Sequence, residues 1–179
     1  MIRRVAILGL CLGLLASCAG TPQLVPTPQV EKAQNVEDIH GRLLVMTAAR
    51  RIQLWMQWHA TMDAGTVRLT HAASGRVLDV RWQANKQSKW IEMRDNQGHT
   101  QWTRISMQAW RKMGVVLAPW TLAALLHHQP PKFLQAQDAE HWQGRVQQRL
   151  IRIHWQRDAG IVTMRDMSAG NTAILRMER

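Results

Sequence analysis

The chain has 179 residues, a formal net charge of +11 and two cysteines. That length corresponds to one domain large enough to bury a core, and so few cysteines exclude a disulfide framework. The basic residues are scattered rather than massed in one block, which excludes a disordered basic tail.

In chain order, the first element pairs a basic start, Arg3-Arg4, with an apolar run from Val5 to Leu14. Small residues follow, and the pattern predicts an export signal over residues 1–17. A membrane-spanning helix needs about 20 apolar residues. This run is broken by Ser17 and ends at Thr21-Pro22-Gln23. The segment Leu15-Ala16-Ser17-Cys18 resembles the lipidation sequence of bacterial lipoproteins, which are cut before the cysteine and acylated on it. A buried core helix and an export signal without lipid are the alternatives. Lipidation implies that Cys11 is lost with the signal and that the sulfur of Cys18 is blocked, leaving no thiol ligand. Ala19 lacks the acidic character associated with inner-membrane retention, so the resemblance implies a lipid anchor at the periplasmic face of the outer membrane. Such a basic chain has nucleic acid, anionic headgroups or acidic proteins as candidate partners. Export and anchoring set nucleic acid aside.

Residues 18–30 contain Pro22, Pro26 and Pro28 and read as a lipidated cysteine with a flexible linker. A short helix is expected over residues 30–38, inside a folded domain spanning 31–179. From Gly41 the period becomes two. Ile52, Leu54, Met56 and Trp58 alternate with Gln53, Trp55, Gln57 and His59, as in a strand with one apolar face. Asp63-Ala64-Gly65 is a turn, Val67 and Leu69 belong to a second strand, and Ser74-Gly75 ends it. Leu78, Val80 and Trp82 share one face of a third strand. Trp90 to Met93 begins a fourth, and Asp95-Asn96-Gln97-Gly98 leads back along Thr100 to Ile105.

Next the spacing lengthens. Ser106 is the expected N-cap of a helix carrying Met107, Trp110 and Met113, with Gly114 at its stop. A second helix is expected from Pro119, with Leu122, Leu125 and Leu126 on one face, ending before Pro130-Pro131. Strands then resume with Ile151, Ile153 and Trp155, then Ile161 to Arg165, then Thr172 to Met177, separated by turns at Asp158-Ala159-Gly160 and Gly170-Asn171. A meander, two helices and a second meander predict a mainly β fold: an open antiparallel half-barrel with short helices covering its concave side.

Nine Trp and ten Met stand beside one Phe and no Tyr. Trp contributes large apolar area and one N–H donor, and Met fits irregular space. Both suit an adaptable apolar cavity, and both equally suit an ordinary packed core. No catalytic or metal constellation emerges. The histidines show no His-Glu-x-x-His spacing, no Ser lies in Gly-x-Ser-x-Gly, and Asp138 and Glu140 converge with nothing that the sequence identifies. His127-His128 fits a helix C-terminus, and His59, His141 and His154 read as sheet-surface residues beside tryptophans. The expectation is a chain that is not an enzyme and uses no cofactor.

Several segments in order resemble the outer-membrane lipoprotein receptor LolB family. They are the lipidation sequence, Gly41-Arg42-Leu43, Leu54-Trp55-Met56-Gln57-Trp58, Val67-Arg68-Leu69-Thr70, Gly75-Arg76-Val77-Leu78-Asp79-Val80, Asp95-Asn96-Gln97-Gly98, the helix stopping at Gly114 and the leucine helix after Pro119. The resemblance implies a monomer that accepts lipoproteins from the periplasmic carrier LolA and inserts them into the outer membrane. Client acyl chains would occupy an apolar cavity. Leu54, Met56, Trp58, Leu69, Leu78, Val80 and Trp82 are the candidates for one wall. The family's membrane-insertion turn would fall at Ala72 and Ala73, where the sequence departs from the family by carrying small residues instead of a bulky hydrophobic one. The segment after Pro131 is shorter than the family's, which implies a reduced hairpin. A structural or assembly lipoprotein that binds a protein or envelope polymer is the alternative, and it predicts a filled core.

Overall fold

The computed structural model describes residues 37–178. The expected signal, Cys18 and the linker lie outside the described residues. Alternation of apolar and polar side chains builds the first meander, formed by β1 (Glu37–Met46), β2 (Arg51–Ala60), β3 (Ala64–His71), β4 (Val77–Ala84), β5 (Lys89–Asp95) and the three-residue β6 (Thr103–Ile105). Helices α1 (Met107–Lys112) and α2 (Pro119–Leu126) follow. The second meander contains β7 (Leu134–Ala136), β8 (His141–Val146), β9 (Arg149–Gln156), β10 (Ile161–Asp166) and β11 (Asn171–Glu178).

All eleven strands form one antiparallel sheet in the order β6-β5-β4-β3-β2-β1-β11-β10-β9-β8-β7. The sheet does not close into a barrel. Every neighbour is also a sequence neighbour except β1 and β11, whose pairing from His40–Glu178 to Met46–Thr172 joins the two meanders. Gly41 lies at this seam. A Cβ on it would lie well inside van der Waals contact distance of the Arg176 carbonyl oxygen, so the close approach of β11 requires glycine there. Both sheet edges, β6 and β7, are only three residues long, which limits edge-to-edge pairing with other chains.

The helices follow their sequence signals. The Ser106 hydroxyl accepts the Ala109 N–H at 3.1 Å and caps α1. Arg111 and Lys112 stand in its last turn, where cations complement the helix dipole. Pro119 begins α2, and His127 ends it. Leu125 and Leu126 are buried and Leu122 is half-buried. Thr121 and Ala123 are buried as well, so α2 sits within the core rather than presenting a single stripe to it. One hydrophobic cluster unites the inner sheet face, Trp110 of α1 and Leu125 of α2. Among the described residues, both meanders and both helices contribute to this cluster.

Three expectations shift. Glu37 and Asp38 belong to β1, so the helix expected over 30–38 does not include them; residues 30–36 lie outside the described part. Pairing of Glu37 with Ala60 and Asp38 with His59 provides the β-ladder that overrides local helical preference. The strand after β5 begins at Thr103 rather than Thr100. The Asp95 carboxylate accepts the backbone N–H groups of Gln97, Gly98 and His99, which draws these residues into a wide turn. Finally, the β7–β8–β9 pairing adds two strands that the alternation did not reveal.

Candidate functional site: an apolar cavity at one end of the sheet

The hairpin turns after β1, β3, β8 and β10 lie at one end of the sheet, which we call the near end. A cavity of about 420 Å³ opens there, between the first meander and α1. Its size falls within the usual range for small-ligand sites, and such sites are mostly apolar. The strands place Leu43, Val45, Ile52, Leu54, Leu69, Leu78 and Met93 in it because these residues share the inward phase of their alternation. Trp110, Met113 and Val115 form the opposite wall. The Trp110 indole N–H donates to the Leu117 carbonyl at 2.9 Å, tying α1 to the segment leading into α2. Behind Trp110 lies a second apolar void of about 40 Å³. Leu43, Val45, Leu69, Trp110 and Val115 face both spaces.

Polar groups are confined to the mouth, where Arg50, His71, Ser74 and Arg76 line the cavity. The Ser74 backbone N–H donates to His71 Nδ1 at 3.2 Å, and the two side chains meet at 2.9 Å. Arg76 Nη2 donates to Asp95 Oδ2 at 2.5 Å. The backbone N–H groups of His99 and Gly98, then Arg76, hold the Asp95 carboxyl well below the usual carboxylate range. Asp95 is therefore an ionised anchor for Arg76. Its side chain is nearly inaccessible while the guanidinium remains half exposed.

The seven candidate wall residues separate into three groups. Leu54, Leu69 and Leu78 line the open cavity. Met56 and Trp58 face the small void behind it, as does Leu69. Val80 and Trp82 are enclosed in packed core farther along the strands. Trp82 packs at a tilt against Trp58 with ring centroids 4.7 Å apart, and a Cβ on Gly65 would collide with its indole ring. Close packing thus fills the sheet at that level. Ala72 and Ala73 are exposed in the turn between β3 and β4, flanked by the mouth residues His71 and Ser74.

Other cavity residues were not singled out as wall candidates. Ile52 belongs to the same alternation as Leu54. Met93, Trp110 and Met113 were legible as elements of a strand or helix, but their convergence depends on how α1 folds back. Arg50 and Arg76 carry no recognisable signal in a chain with so many basic residues.

Away from the cavity, Asp138 and Glu140 do find partners. Asp138 contacts His141 Nδ1 at 2.9 Å, Glu140 Oε2 lies 3.3 Å from His154 Nε2, and the two imidazoles stack at 4.2 Å. The Glu140 backbone N–H, then the His141 side chain, lowers the Asp138 pKa. His59 is likewise on the sheet surface, 2.5 Å from Asp38. Among the described residues, no group of three or more His, Cys, Asp or Glu could hold a metal ion, and no helix is long and apolar enough to cross a membrane. No known family model and no curated protein matches the chain.

Proposed function

We propose that this chain is an acyl-chain acceptor. As an outer-membrane lipoprotein anchored through Cys18, it takes client lipoproteins from the periplasmic carrier LolA and inserts them into the outer membrane. The observation that carries the reading is the open, apolar cavity whose polar groups are restricted to its mouth. A saturated chain has no polar atoms to satisfy along its length, so it needs such a wall. The mouth provides polar groups beside the headed end of the ligand.

The mechanism requires no covalent chemistry. Each methylene moved from water into an apolar site gains about 0.8 kcal/mol, so a chain passed through water would face a prohibitive barrier. Transfer between two apposed cavities avoids that exposure. Direction comes from tighter binding by the acceptor than by the carrier.

A soluble form from residue 19 onward retains residues 37–178 with their own core. Mixed with carrier loaded with a labelled lipoprotein, it is expected to take up the label. Failure of two folded proteins to exchange label would overturn the reading. A filled-core assembly protein, by contrast, would bind no apolar probe at this site.

A further inference from the structure

Basic and acidic residues are unevenly divided between the two ends of the sheet. Arg50 and Arg51 lie at the β1–β2 turn, Arg76 at the β3–β4 turn, Lys112 at the end of α1, and Arg145 and Arg165 beside the β8–β9 and β10–β11 turns. All six are exposed. They follow the near end across both meanders, and Arg50 and Arg76 among them line the cavity mouth. Arg111 contacts Gln147 across this end, placing the last turn of α1 beside the β8–β9 turn.

The two acids at the near end are withdrawn. Asp95 and Asp166 each have a nearly inaccessible side chain, paired with Arg76 and Arg149 respectively. Each also accepts backbone N–H groups from its own turn. These carboxylates shape the turns but present almost no negative surface. At the far end stand Glu37, Asp38, Asp63, Asp138, Glu140 and Asp158. Cations are therefore in excess at one rim, while the opposite rim carries these six acids beside Lys86, Lys89 and Arg157.

We propose that the near rim is a docking surface for anionic phospholipid. Its cations occupy separate turns along one edge, an arrangement suited to lipid phosphates that can move laterally to meet them. Small or apolar side chains, Ala72, Ala73 and the exposed Met167, lie among these cations and fit shallow contact with an interface. Docking turns the cavity mouth toward the bilayer. This purpose rests on the acyl-acceptor reading, but docking is measurable without any acyl ligand.

The test uses the soluble form from residue 19, which has no lipid anchor. It is sedimented with vesicles of phosphatidylcholine alone or of phosphatidylcholine with phosphatidylglycerol. Binding is expected on the anionic vesicles only, and is expected to disappear near 1 M salt, where the screening length falls to about 3 Å. The triple variant Arg51→Glu, Arg145→Glu, Arg165→Glu avoids the cavity lining. It is expected to lower vesicle partition by about 100-fold or more, at roughly fivefold for each cation removed. The far-end variant Lys86→Glu, Lys89→Glu, Arg157→Glu, at the β4–β5 and β9–β10 turns, changes the net charge equally and is expected to retain binding. Arg145→Glu alone is expected to cost about fivefold, which keeps the test available if the triple variant misfolds.

Equal binding to both vesicle types would overturn the proposal, as would equal losses in the two triple variants. A near-rim variant that keeps vesicle binding but no longer accepts label from the carrier would assign the rim to an acidic protein instead. Vesicle binding by a wild-type protein that accepts no label would retain docking and remove the acyl-acceptor reading.

Discussion

The two meanders follow the same alternation but enclose different interiors. In the second, Ile151, Ile153, Val162, Met164, Ala173 and Leu175 are all buried. At the near end of the first, Ile52, Leu54, Leu78 and Met93 occupy the corresponding inward phase but remain half-buried around open space. The turns do not explain the contrast, because Asp95 with Arg76 and Asp166 with Arg149 organise the two halves in similar ways. The covering does. Trp142 and Trp155 fill the second half and lie 6.3 Å apart, and His128 stacks on Trp155 at 5.1 Å. Over the first half, α1 stands away from the sheet, with Trp110 bounding the cavity. An apolar strand face thus becomes core or binding wall according to what is placed opposite it.

The sharpest way to break this comparison is to remove a filling residue. Trp155→Ala is expected to cost about 3–5 kcal/mol in denaturant unfolding, because a buried Trp leaves a large cavity. A loss below about 1 kcal/mol would show that the second half is not tightly filled. Gly41→Ala comes next, at about 1–3 kcal/mol, from the clash with the β11 backbone at the seam. Separate unfolding of the two halves in this variant would show that the seam couples them. Leu54→Ala is expected to cost only about 1 kcal/mol or less, since its side chain faces an open cavity and is only partly buried. It should nevertheless weaken binding of a fluorescent fatty acyl probe. A stability loss matching that of Ile153→Ala would erase the proposed difference between the halves.

The smallest effect concerns the turns that the halves share. Asp95 has its folded pKa lowered, chiefly by backbone N–H groups. Its stabilising contribution is present above the unfolded carboxyl value and is lost as pH falls below about 4. Asp95→Asn should therefore lower the melting temperature at neutral pH, and its deficit relative to wild type should narrow as the solution is acidified. A deficit that stays constant with pH would show that the amide's altered geometry, rather than lost charge, is responsible.

Much of the architecture was legible because its signals are local. Ser106, Gly114 and Pro119 marked the two helices, and alternation marked β2, β3, β4, β9, β10 and β11. The β8–β9 hairpin escaped because its two-residue turn is Gln147-Gln148. Both residues adopt positive φ, where Asn or Gly is the usual signal. β7 was too short to establish a period. Within the candidate wall, Leu54 and Trp82 look alike in sequence because both occupy the inward phase of a strand. Only the tilted packing of Trp82 against Trp58 and its approach to Gly65 place it in solid core.

The sequence alone determined the succession of a meander, two helices and a second meander, the apolar face of most strands and the basic total. These depend on short-range periodicity, caps and composition. Tertiary structure decided that one part of the apolar face borders a cavity, that Trp110 bounds it and that cations gather at the same end of the sheet. Those outcomes depend on antiparallel register, which brings distant turns to one end, and on the distance at which a helix packs against the sheet. Neither quantity is encoded in any single local window.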